Sequence, residues 1–235
     1  MDTLSKHERS TTALSLQKSQ ASVSYSYRSF MFVQPKRQRT RGVVIFTLIY
    51  QILFASIAIA RSDYPALFQV VSLLVFSCVI FFAHKRLYYH INLLWFLSLW
   101  GALHLAGSIV VIPESWVINE NPTKLHHLAM AGNWLEYIHL EYFYGFFLIT
   151  WVCWQTLCSI ILVRYQRRLM PTFGLLLLCG TSSLGCGAIN LFIENIAQLL
   201  MLHSEGTIHH SIEWELAAGV AGAFSASLCI KLRNL

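Results

Sequence analysis

The sequence predicts an all-α, polytopic membrane bundle of six transmembrane helices with both termini cytoplasmic. Three observations predict it. The 235-residue chain is 56% hydrophobic and 12% charged, whereas an ordinary soluble domain carries about 25% charged residues. Its apolar residues fall into six runs, each near or above the ~20 residues that cross a bilayer as a helix. Its basic residues are sorted by those runs. Of the 17 Lys and Arg, eight precede the first run, two follow the second, three follow the fourth and two follow the sixth, leaving only Arg61 and Lys124 in the alternate loops. Under the positive-inside rule this places both termini in the cytoplasm. A five- or seven-span reading would break the agreement. The net charge of +6 therefore has a topological cause, and a nucleic-acid partner is not expected.

Residues 1–41 read as a disordered basic cytoplasmic tail, and 42–235 as a single six-helix transmembrane domain. The tail is polar, with little apolar periodicity, and closes on Lys36, Arg37, Arg39 and Arg41; such a segment buries too little to order itself. No small-residue cleavage site clearly follows the first run, so an uncleaved anchor is expected. The spans are 42–60, 66–83, 91–112, 138–163, 172–200 and 212–230. Pro65 suits the start of the second, and Pro113 stops the third. The runs lack the alternation of membrane strands, and backbone polar groups in lipid must be satisfied internally, so the spans are helices. Trp116, Trp134, Tyr137 and Trp214 are expected at one interface, and Tyr88, Tyr89 and Tyr165 at the other. The small residues of the last two spans, such as Gly185, Gly187, Gly219 and Gly222, predict that these two helices pack closely on each other. The six cysteines all lie in apolar segments without a CxxC pair and read as packing residues.

The remaining polar chemistry gathers toward the outer side. His104 sits near the middle of the third span, on one face with Gly101 and Ser108. The following loop holds Glu114, Glu120, His126, His127 and Asn133, and the mouth of the fourth span holds Glu136, His139 and Glu141. His139 and Glu141 are about 200° apart around a helix, so only one faces a given site. Asn190, Glu194 and Gln198 form a stripe at four-residue spacing, and Glu213 and Glu215 open the last span. An ionisable residue in a span is costly and marks a functional site or an interhelical bond. Glu194 is therefore a candidate base, metal ligand or cation partner. The paired loop histidines, His126–His127 and His209–His210, lack the spacing to chelate on a helix and read as exposed loop residues. HExxH, GxSxG, Walker and GxGxxG patterns are absent from the sequence.

Three segments resemble the YjdF-type family of bacterial inner-membrane proteins, and more distantly the VanZ-like proteins. They are His104 with Gly107; the stretch 133–145, from Asn133 through Glu136, His139 and Glu141 to Gly145; and Glu194 through Gln198 followed by Glu213, Glu215 and Gly222. The resemblance covers about residues 90–230, with Glu where the family usually has Asp in the last motif. It implies an inner (plasma) membrane location and one site containing His104, Glu194, Glu215 and one of His139 or Glu141. On that reading Glu194, His104 and Glu215 carry catalysis, and His104, His139, Glu141, Glu194 and Glu215 are the pool of ligands for a divalent metal.

Four functions fit these residues. The first is a membrane-embedded metal-dependent hydrolase or lipid-processing enzyme acting on a lipid or lipid-linked substrate in the bilayer. The second is a transporter, for which intramembrane acids are the signature, although no span has an acid in its inner half. The third is a haem bundle, which needs paired axial ligands. The fourth is a non-enzymatic structural or interaction protein whose polar groups only fix the bundle.

Overall fold

The computed structural model describes residues 40–112, 124–131, 135–165, 169–200 and 212–233, without the side chains of 127, 129–131, 193–200 and 212–213. The tail, the loop residues Glu114, Trp116, Glu120, Asn133 and Trp134, the basic pair Arg167 and Arg168, and His203, Glu205, His209 and His210 lie outside the described residues, as do the side chains of His127, Glu194, Gln198 and Glu213.

Among the described residues six α-helices carry the fold: α1 (Arg41–Ala60), α2 (Tyr64–Leu87), α3 (Ile91–Ile109), α4 (Tyr137–Tyr165), α5 (Phe173–Leu200) and α6 (Ile212–Arg233). All six contain stretches long and apolar enough to cross a membrane. Each also turns large apolar side chains outward, among them Ile52 (66% exposed), Val79 (58%), Phe192 (65%) and Phe224 (70%). A water-soluble monomer does not present continuous apolar surface on this scale, so the chain has the make-up of a multi-pass membrane protein.

The helix ends follow from local chemistry. Asp63 caps α2, its Oδ1 accepting from the Ala66 amide at 3.0 Å, with Pro65 in the first turn; this is why α2 begins at Tyr64 rather than at 66. Tyr88 stops α2 in the left-handed region, φ 52°. α3 ends at Ile109, three residues earlier than its hydropathy suggests. Beyond it the Val110 carbonyl accepts from the Leu125 amide at 2.9 Å and Val111 bridges to Lys124. Residues 110–112 thus leave the helix to receive a returning segment. That segment is a 3₁₀ turn (Leu125–His127) and a short antiparallel ribbon, β1 (Ala129–Ala131) with β2 (Leu135–Glu136).

Two clusters hold the bundle. Tyr50, Ala58, Val70, Leu73, Leu105 and Ile109 join α1, α2 and α3; Trp154, Leu176, Cys179 and Ile230 join α4, α5 and α6. Leu93, Leu97 and Leu148 link the two halves through α3 and α4. The last two helices do touch, but the expected pairing is not the dominant one. The most extensive helix contact is α4 with α6. A Cβ at Gly222 would collide with the Phe143 backbone carbonyl, while Gly187 and Gly219 both lie against the Phe146 ring. Ser183 of α5 also donates to the Phe146 carbonyl at 3.1 Å. The small residues make room for α4.

Candidate metal centre

The segment that returns after α3 brings a third polar side chain to two that come from helices. His104 lies on α3 four residues past its midpoint and five before its end at Ile109. Glu141 lies in the second turn of α4 and is 8% exposed. His126 lies in the 3₁₀ turn. His104 Nδ1 contacts Glu141 Oε1 in a short hydrogen bond. On the other oxygen, His126 Nε2 stands 2.9 Å from Glu141 Oε2. Among the described residues, neither atom has a hydrogen-bonding protein group elsewhere. One donor atom from each residue lies within 4.8 Å of the others, which makes His104, His126 and Glu141 a three-ligand group.

Packing sets these orientations. The Trp100 ring stacks on His104 with centroids 5.7 Å apart, and Tyr137 stacks on His126 at 6.3 Å. The Tyr137 hydroxyl donates to the Leu103 carbonyl at 2.9 Å, tying the mouth of α4 to α3. Two glycines make the space. A Cβ at Gly107 would strike the His126 imidazole, and one at Gly145 would meet Trp100 Nε1 at 2.7 Å. The turn carrying His126 is fastened on both sides, by Leu125 to Val110 and by the Tyr137 amide to the Leu128 carbonyl at 3.0 Å. Lys124 Nζ reaches Asp63 Oδ2 at 3.5 Å, and Arg61 Nη1 donates to the Ile109 carbonyl at 2.9 Å. The α1–α2 turn therefore braces the same end of the bundle.

A buried carboxylate must be paired or coordinated. Two imidazoles and one carboxylate are a common zinc set, with bonds near 2.0–2.1 Å and a fourth position left open. Tetrahedral ligands at that radius stand about 3.3 Å apart, so a donor pair at the full 4.8 Å would have to close by about 1.5 Å.

The sequence-derived candidates fall in different places. His104 and Glu141 are brought together. His139, two residues before Glu141 on α4, is not in the three-ligand group; its Nδ1 accepts from the Glu136 amide at 3.0 Å. Glu215 is buried on α6, 5% exposed, and is not in the three-ligand group. Asn190 lies on an exposed face of α5, and the Glu194 side chain is outside the described residues. His126, read from the sequence as an exposed loop residue, is the missed member. Its only sequence signal was indirect: Gly107, one helical turn after His104, is the notch that receives it. Comparison of the chain with protein-family models, curated proteins and solved structures finds no match.

Proposed function

We propose that the chain is a membrane-embedded, metal-dependent hydrolase that holds one divalent ion, zinc by preference, on His104, His126 and Glu141. The observation that carries this reading is the convergence of three donor atoms within 4.8 Å of one another, from two helices and a fastened turn. Zinc on three protein ligands keeps a position for water and lowers its pKa to about 7. The distribution of Lys and Arg supports an orientation with both termini in the cytoplasm and the centre at the outer leaflet. A site at the end of an apolar bundle meets a lipid or lipid-linked substrate before any soluble one. Glu194 and Glu215 are the proposed proton-transfer groups, and the resemblance to YjdF-type and VanZ-like proteins supports grouping them with His104. The inner (plasma) membrane is the proposed location.

The test is the metal content of the full chain, purified without chelators. One zinc per chain is expected, lost in His126→Ala and Glu141→Ala, together with hydrolysis of a fluorogenic acyl lipid by the zinc-bound form. A chain that binds no divalent metal on titration sinks the proposal.

The His104–Glu141 hydrogen bond favours a second reading, in which the group is a clamp holding the turn to the bundle with no ion. The clamp reading expects the same melting temperature with and without added zinc, and a lower one in Glu141→Ala under both conditions.

A further inference from the structure

Away from the histidines, α1, α2 and α3 enclose a cavity of about 270 Å³. It shares no lining residue with the metal centre. It is larger than the ~150 Å³ engineered cavity that accepts benzene. Leu48 and Leu74 line it and are also exposed on the flank of the bundle, at 45% and 41%, so the cavity opens sideways. None of its lining residues among those described is charged.

Its wall carries one polar stripe. Thr47 and Ser98 share a hydrogen bond at 2.6 Å. Gln51 Nε2 donates to Ser77 Oγ at 3.2 Å. Tyr50, 6% exposed, lines the cavity beside them. Gln51 is 4% exposed, and its Oε1 has no hydrogen-bond partner. Turning the amide over does not repair this. One end then faces Ser77 and the other end is orphaned, because O and N of an amide exchange places on a flip. A buried amide end without a partner is destabilising, because it has given up its bond to water and gained none in return.

From this we infer a second site, which takes a single-chain lipid bearing a free hydroxyl. A charged headgroup would be buried against no counter-charge. A hydroxyl donates and accepts, so it satisfies Gln51 in either amide orientation. The chain leaves between Leu48 and Leu74 into the surrounding apolar phase.

The experiment uses the full chain in nanodiscs and two photoreactive diazirine probes, hexadecanol and hexadecane. The alcohol is expected to label lining residues of α1 and α2 about five- to tenfold more than the alkane, the size of one buried hydrogen bond. Excess unlabelled hexadecanol should suppress that labelling. Gln51→Leu should bring the alcohol down to the alkane level, and Leu74→Trp, which closes the rim without touching the polar stripe, should suppress both probes. Leu74→Trp decides the matter alone if Gln51→Leu does not fold. Equal labelling by the two probes, or alcohol labelling unchanged by the variants, means that the cavity holds water or passing lipid only, and overturns the inference. Neither result bears on zinc binding at His104, so the two sites fail separately.

Discussion

Gly107→Ala tests the metal centre without touching a ligand. The new methyl carbon would stand 3.0 Å from Tyr137 Cε1 and closer still to the His126 imidazole. Carbon atoms settle at about 3.5–4.0 Å, so Tyr137 would have to retreat by at least ~0.5 Å and His126 by more. His126 cannot retreat freely, because its turn is fastened at Leu125 and at Leu128. The imidazole then loses its 2.9 Å approach to Glu141. Disturbing a group that orients a ligand weakens metal binding by about 10–100-fold, which is about 1.4–2.8 kcal/mol. The overpacking itself costs about 1–3 kcal/mol of stability. Zinc affinity would be measured by competition with a chromogenic chelator, and stability by thermal melting of the detergent-solubilised chain. The double variant Gly107→Ala/His126→Ala supplies the internal check. Removing the imidazole removes the closest collisions and leaves only the 3.0 Å Tyr137 contact, so its melting temperature should fall much less below that of His126→Ala than Gly107→Ala falls below the parent, a non-additivity expected only of residues in contact. Zinc affinity in Gly107→Ala equal to that of the parent, or fully additive melting shifts, would refute the placement of His126 against this helix.

The remaining predictions concern the bundle and its bracing. Gly222→Ala drives a methyl group into the Phe143 backbone carbonyl, whereas Gly185 has nothing within 4 Å; the first should destabilise by about 1–3 kcal/mol or more, and Gly185→Ala should be neutral in the same melting assay. Asp63→Ala removes the α2 cap and the Lys124 contact, and a loss of about 0.5–2 kcal/mol is expected; Asp63→Asn should recover most of it, since the carboxamide oxygen still accepts from Ala66. On the proposed orientation, an added cysteine at Lys124→Cys should react with a membrane-impermeant thiol reagent on intact cells, and one at Thr40→Cys only after lysis; the reverse pattern reverses the topology.

The six spans were legible because hydropathy is a property of the chain alone. Their ends were legible where a proline sat in the sequence, as Pro65 set the start of the second to within two residues, and illegible where a distant segment decided them. Nothing in Val110, Val111 or Ile112 says that Lys124 and Leu125 will return to pair with two of them. His104 was legible as a polar residue within an apolar run, and Glu141 only as an alternative to His139. His126 was not, because a histidine in a polar loop has no cost to explain until the loop folds back. The small residues of α5 and α6 announced a close neighbour and not which one. The neighbour is α4, since Phe143 and Phe146 supply the bulk that those notches accept.

The unequal helix lengths have a consequence for depth. α3 has 19 residues and α4 has 29, which at 1.5 Å per residue gives about 28 Å and 44 Å. The hydrocarbon core of a bilayer is about 30 Å thick. α3 is therefore matched to that thickness, while α4 must tilt or project beyond it. His104, five residues before the end of α3, then lies roughly 7–8 Å below the level where the helix stops. In a bilayer that is the stratum just beneath the headgroups, where acyl chains begin. On the proposed function, a lipid's scissile bond at that depth would reach the centre by sideways diffusion, with no lipid lifted out of its leaflet. A thicker membrane would sink the centre away from the headgroups and a thinner one would raise it toward water, so bilayer thickness becomes a control on what the centre meets.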